Sequence, residues 1–218
     1  MTANPRIALI HATPASITPA VTALAADFPT AEPWNLMDDK LLGDADAAGG
    51  LTSELRQRMR RLIDHAVADA DGVLLTCSLY GPVAQATQAP IPVLAPDESA
   101  FDALVDRGYG SILVVASFDT ALRDSMRRLT EFLTGRDAAA PVSGVVADGA
   151  FDAAKDGDYE RLAVCLSHAV RGTDAEAVFF AQYSLAPAAE RVAASAGVPV
   201  VTGPACAAVA LRERLSGA

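Results

Sequence analysis

The chain has 218 residues, 51% of them apolar and only 6% aromatic, with a formal charge of −10. That length holds one large domain or two small ones. The acidic balance excludes a phosphate-tracking basic face, hence a nucleic-acid partner, and no apolar run approaches the ~20 residues of a membrane span.

The first apolar run, residues 7–12 (IALIHA), is too short and wrongly flanked for a signal peptide. It is predicted as a buried strand ending near His11, in a soluble cytoplasmic protein. Residues 34–37 (WNLM) lead into Asp38 and Asp39, read as a loop whose acids are solvated turn residues or reach the site. Residues 52–68 place Leu55, Met59, Leu62, Ile63 and Ala66 on one helical face. Thr52 gives only a partial cap there, since a capping box wants Glu or Gln at position 55. Arg56, Arg58, Arg60 and Arg61 spread around this helix among acids, as a solvated surface does.

Residues 73–76 and 91–95 read as the next buried strands, then 112–116, followed by a helix over 120–133. Residues 135–158 are rich in Ala, Gly and Asp, and are expected to hold a short strand at 142–147 and otherwise loop. A helix over 159–170, strands at 178–181 and 198–202, and a helix over 205–215 close the chain. Strands alternating with helices predict an α/β fold with parallel sheets covered on both faces. The Gly-Tyr-Gly at 108–110 precedes a strand, so it is no dinucleotide fingerprint, and no phosphate-loop pattern is present.

The runs repeat at one offset. Ile7 and Ile112 are 105 positions apart, as are Val73 and Val178. VLLTCSLYGPVA then aligns without a gap on VFFAQYSLAPAA, with Pro82 on Pro187. This predicts a duplicated unit: two similar open parallel-sheet, flavodoxin-like α/β domains related by a pseudo-two-fold, residues 1–96 plus 205–218 and residues 97–204. A ligand is expected in the cleft between them, outside the C-terminal ends of the strands. That places the stretches 11–16, 77–80, 117–120 and 182–184 as lining.

Three cysteines, Cys77, Cys165 and Cys206, have neither disulfide nor zinc-ligand spacing. Cys77 follows a buried strand; it is either a small buried hydrophobe or a reactive thiol. Cys165, mid-helix, is read as a core residue, and Cys206, at the start of the last helix, as either core or helix packing or a residue facing the cleft. The stretch DGVLLTCS at 71–78 resembles the first cysteine motif of the aspartate/glutamate racemase superfamily, which includes hydantoin racemases, maleate isomerases and arylmalonate decarboxylases. RIALIHATP at the start, VASFDT at 115–120 and GVPVVTGP at 197–204 resemble the same family in order. The resemblance implies a cofactor-independent enzyme, a homodimer or larger oligomer, acting on a small carboxylic acid with no metal or pyridoxal phosphate. It also implies Cys77 as an acid/base or nucleophile.

The racemases of that family set a second cysteine opposite the first. Here Gln182 stands at that motif, and an amide cannot act as a proton-transferring acid or base near neutral pH. His11 then either supplies the second acid/base or orients substrate, or is a structural histidine bonded to backbone. Ser78 and Leu79 after Cys77, Thr13 after His11, and Ser117, Thr120, Tyr183 and Ser184 in the second copy are the expected carboxylate-binding residues. Backbone amides and hydroxyls would grip the acid without an arginine. Three functions compete: a racemase or isomerase, a one-cysteine decarboxylase, and a carboxylate-binding protein without turnover.

Overall fold

Strands that are apolar on both faces need a helical layer on each side, and both sheets of this protein have them. A computed structural model describes residues 4–217. The elements run β1 (Arg6–His11), α1 (Ile17–Asp27), β2 (Glu32–Met37), α2 (Leu41–Ala47), α3 (Ser53–Asp69), β3 (Gly72–Leu75), α4 (Gly81–Gln85), β4 (Val93–Leu94) and α5 (Glu98–Asp106). They continue as β5 (Ile112–Ala116), α6 (Asp119–Gly135), β6 (Val142–Val146), α7 (Ala150–Asp156), α8 (Tyr159–Ala169), β7 (Ala177–Phe180), α9 (Ala189–Ala196), β8 (Val200–Thr202) and α10 (Gly203–Ser216). Short 3-10 turns occupy Pro14–Ser16, Ser78–Tyr80 and Tyr183–Ala188. No helix among the described residues is long and apolar enough to cross a membrane.

The chain divides into two units, Met1–Glu98 with Ala207–Ala218, and Ser99–Cys206. Each holds one four-stranded sheet, in the order β2-β1-β3-β4 and β6-β5-β7-β8. Every pairing is parallel. The registers repeat along with the order. Ile7 pairs with Gly72, and Ile112, 105 residues on, pairs with Ala177, also 105 residues on. The same fold has been built twice, with the central strand pair in one register.

In the first unit Ala8, Ile10, Val73 and Leu75 meet α2 and α3 through Leu41, Ala45, Leu55, Met59 and Ile63. Their neighbours Ile7, Leu9 and Leu74 point the other way by the two-residue period of a strand, and are equally buried. On that side α10 lies on the sheet, because Gly72 leaves room: a Cβ there would sit 3.1 Å from Leu211 Cδ2. The Arg212 guanidinium donates to the Asp27 carbonyl (2.6 Å), tying α10 to the end of α1. In the second unit Leu113, Val115, Val178 and Phe180 face α7, α8 and α9. Ile112, Val114, Ala177 and Phe179 face α5 and α6.

Two readings of the sequence are corrected. Residues 32–37 are a strand rather than a loop: β2 is an edge strand, where Pro33 is tolerated and most side chains are exposed, so its alternation is confined to Trp34 and Leu36, which pack on the core. Residues 150–156 are a helix bracketed by Gly149 and Gly157, both at positive φ (76° and 71°). The α3 cap is the partial one the sequence suggests: Thr52 Oγ1 accepts from the Leu55 amide at 3.3 Å, and Leu55 has no side-chain acceptor to return the bond.

Gly144, in edge strand β6, sets how closely α6 approaches. A Cβ there would collide with Met126 Sδ and lie 2.8 Å from Leu122 Cδ1. Gly144→Val is expected to cost about 1–3 kcal/mol through overpacking, read from the urea midpoint at unchanged slope.

Candidate active site

The C-terminal ends of β1, β2 and β3 bring the first unit's polar residues together. Beyond the strands the ladder runs one step further: the Thr76 amide donates to the Ile10 carbonyl (3.0 Å) and the Asp38 amide to the His11 carbonyl (3.2 Å). His11, Asp38, Thr76 and Cys77 therefore share one edge of one sheet.

His11 is fully buried. Its Nδ1 lies 2.9 Å from Thr76 Oγ1 and 3.0 Å from Ser16 Oγ. Its Nε2 lies 2.9 Å from Asn35 Oδ1. An amide oxygen only accepts, so Nε2 carries the proton and Nδ1 of the neutral ring accepts from a hydroxyl. Ser16 Oγ also reaches the Thr13 carbonyl (2.9 Å) and Thr76 Oγ1 (2.9 Å). Both ring nitrogens are thus engaged by the protein.

Burial holds the His11 imidazole below its ordinary value of 6.5, with the Asn35 bond opposing. The unfolded chain then takes up this proton at a higher pH than the folded one. The stability associated with a neutral His11 is complete above about 6.5 and is lost as pH falls through the depressed folded value. Urea titrations between pH 8 and pH 5 are expected to show this loss in the wild type and a shallower one in His11→Gln.

Cys77 is half-buried, in extended backbone (φ −118°, ψ 116°) at the mouth of the Ser78–Tyr80 turn. It packs on the first unit's core together with Leu79. Only a three-residue turn and the five-residue α4 follow it, so the helix-terminus field available to the sulfur is that of a short element. Tyr80 is buried and donates to the Leu41 carbonyl at 2.8 Å. Its hydroxyl is held well above its ordinary pKa, first by burial and then by the negative charge a Cys77 thiolate would place nearby. It is a structural hydrogen-bond donor.

The sequence missed one feature of this region. Arg58 is no free surface cation: Nη2 donates to Asp38 Oδ2 and Oδ1 (2.6 and 2.8 Å), Nε to Asp38 Oδ2 (3.2 Å), and Nη1 to Asp44 Oδ2 (2.5 Å). Its proton is held more firmly than usual, first by the Asp44 bond and then by Asp38. This clamp ties the segment after β2 to α3. Arg60, Arg61 and Asp39 are exposed, as expected.

In the second unit Gln182 occupies the place of Cys77, in extended backbone (φ −139°, ψ 141°) before a 3-10 turn. Its Oε1 accepts from the Ser117 amide (2.7 Å) and Ser117 Oγ (3.0 Å). The side-chain carbonyl thus joins the end of β7 to the end of β5. Tyr183 is buried, Ser184 half-buried, and Thr120 exposed on the first turn of α6. In the first unit Thr13 and Ser78 are half-buried beside His11 and Cys77. Cys165 and Cys206 are half-buried against the second unit's two core faces.

No protein-family model matches the chain, and no curated protein does. Solved structures do. An aspartate racemase from Picrophilus torridus superposes with a TM-score of 0.74 at 12% identity, over 97% of this chain and 94% of that one. A glutamate racemase from Francisella tularensis, in complex with D-glutamate, gives 0.67 at 12%, over 99% and 82%. An allantoin racemase from Pseudomonas fluorescens gives 0.65 at 18%, over 95% and 89%.

Proposed function

We propose that this chain, which has the fold of the aspartate/glutamate racemase superfamily, is a cofactor-independent enzyme of racemase or isomerase type. Cys77 is its proton-transferring group and a small carboxylic acid its substrate. The observation that carries the reading is the position of the thiol, on the first residue but one after β3, at the end of the sheet where open α/β folds bind ligands.

In the forward step the Cys77 thiolate takes the proton from the carbon next to the substrate carboxylate. The C–H electron pair moves into an enediolate, and the sulfur becomes a thiol. Return of a proton to that carbon completes the exchange. Ser78 and Thr13, with the amides of the turns they belong to, are the donors assigned to the carboxylate, whose growing charge they stabilise. The equivalent residue of the second copy, Gln182, is neither an acid nor a base near neutral pH, and its carbonyl is used by Ser117. That observation favours a second reading, in which one cysteine works on one face of the substrate only.

Incubation of the protein in deuterium oxide with aspartate, glutamate, substituted malonates, hydroxy acids and hydantoin-type substrates tests both. Deuterium at the α-carbon with loss of optical purity supports racemisation. Deuterium with retained configuration, or stereospecific loss of carbon dioxide from a malonate, supports one-face chemistry. Tight binding without any exchange would leave a carboxylate-binding protein and overturn the enzymatic reading.

A further inference from the structure

The two copies of the fold differ at the end of the sheet in a concerted way. In the first, His11, Ser16, Asn35 and Thr76 join in the hydrogen-bonded cluster described above. The imidazole and both hydroxyls are at most 4% exposed. In the second, the shared register places Ala116, Ala121 and Ala181 at the positions of His11, Ser16 and Thr76. The partner of Val114 in β6 is Gly144, where its counterpart Leu9 in β1 pairs with Asn35. All four polar side chains become small residues, and the strands still pair and pack.

The fold therefore does not need the cluster. Burying polar groups stabilises little even when all are bonded, and leaving one unbonded costs. An apolar filling of this space exists in the same chain. The cluster also accompanies the thiol: Thr76 directly precedes Cys77, whereas Ala181 precedes Gln182. Polar support and sulfur are present together in one copy and absent together in the other.

Building on the reading of Cys77 as the reacting group, we infer that His11, through its bond to Thr76, is a positioning residue that fixes the Thr76–Cys77 segment and so sets the orientation and surroundings of the thiol. Its ring nitrogens are spent on Thr76, Ser16 and Asn35, so its action passes through Thr76. Asn35, on edge strand β2, anchors the outer end of the imidazole. Ser16 Oγ donates to the Thr13 carbonyl and packs against His11 Nδ1 and Thr76 Oγ1, at 3.0 and 2.9 Å.

The test is the rate of Cys77 alkylation by iodoacetamide from pH 5 to pH 10, read residue by residue by mass spectrometry with Cys165 as internal reference. In the wild type Cys77 is expected to react at pH 7 at least tenfold faster than Cys165, with a midpoint below the ordinary thiol value of about 8.5. Thr76→Val, which keeps the shape and removes the hydroxyl, is expected to slow Cys77 at pH 7 at least fivefold and move the midpoint toward that ordinary value. Thr76→Ser is expected to restore the wild-type profile. His11→Ala is expected to match Thr76→Val, and the double variant to be no slower than either. With a turned-over acid, Thr76→Val is expected to lower kcat with KM little changed. Wild-type Cys77 profiles in folded Thr76→Val would overturn the inference and leave the proposed function standing. A wild-type Cys77 that reacts no faster than Cys165 would overturn both. Should His11→Ala not fold, the pair Thr76→Val and Thr76→Ser decides alone.

Discussion

Cys77→Ser is expected to lower α-proton exchange by about 10²–10⁴-fold, the usual contribution of a positioned acid or base. A serine hydroxyl matches the thiol roughly in size but holds its proton far too tightly to serve as a base near neutral pH. The surroundings do not help it. Tyr80, whose hydroxyl feels the sulfur's charge, is committed to the Leu41 carbonyl, and His11 is committed on both nitrogens. The fold should be indifferent, because Cys77 is half-buried and lies beyond the last residue of β3. An unchanged urea midpoint beside the lost exchange would place the effect in the chemistry. Cys165→Ser and Cys206→Ser, which alter thiols packed on the second unit's core faces, are expected to keep exchange within about threefold, small beside the loss for a positioned acid or base.

Phe179→Ala carries the largest expected effect on stability. The ring is fully buried on interior strand β7, edge-on to Phe101 with centroids 5.4 Å apart, and Phe101 in turn meets Phe132 at 5.5 Å. Removing a buried phenyl ring costs about 3–5 kcal/mol through lost transfer energy and the remaining cavity. The aromatic contact is included in that figure; by itself it is worth about 1 kcal/mol. The α5 and α6 side chains around it are held by their own helices and cannot collapse fully into the space. The measurement is urea unfolding followed by circular dichroism, with hydrogen exchange to locate the loss. Amides of β5 and β7 should lose protection most.

Much of this architecture was legible because buried parallel strands advertise themselves. The runs at 7–12, 73–76, 112–116 and 178–181 are apolar on both faces, and their common offset exposed the duplication that the registers of β1–β3 and β5–β7 repeat. Strand β2 was hidden because an edge strand with Pro33 and mostly exposed side chains offers only Trp34 and Leu36 as a period, too short to read. Helix α7 was hidden in an Ala- and Asp-rich stretch too short for a periodic signal.

At the site, Cys77 was singled out by the resemblance of the 71–78 stretch to a racemase cysteine motif, since its place after a strand fits a small buried hydrophobe as well, whereas its supports were not. Asp38 and Arg58 each look like an ordinary surface charge, and only the folded chain joins them across twenty residues. The His11 cluster draws on four separate segments, so no local motif encodes it. A signal was nonetheless present in the repeat: at the offset that matches the strands, His11 falls on Ala116 and Thr76 on Ala181. Polar residues standing where the sister copy has alanine mark positions that folding alone does not demand. At Gln182 the side-chain carbonyl closes the end of β5 through Ser117, a bond between segments 65 residues apart that no local motif encodes.

Protection of individual cysteines by a bound acid tests the central role of the sulfur most directly. With an acid that undergoes exchange present at saturation, alkylation of Cys77 should slow at least tenfold while Cys165 and Cys206 keep their rates. Equal modification of Cys77 with and without that acid would contradict the assignment of the thiol to the reacting carbon.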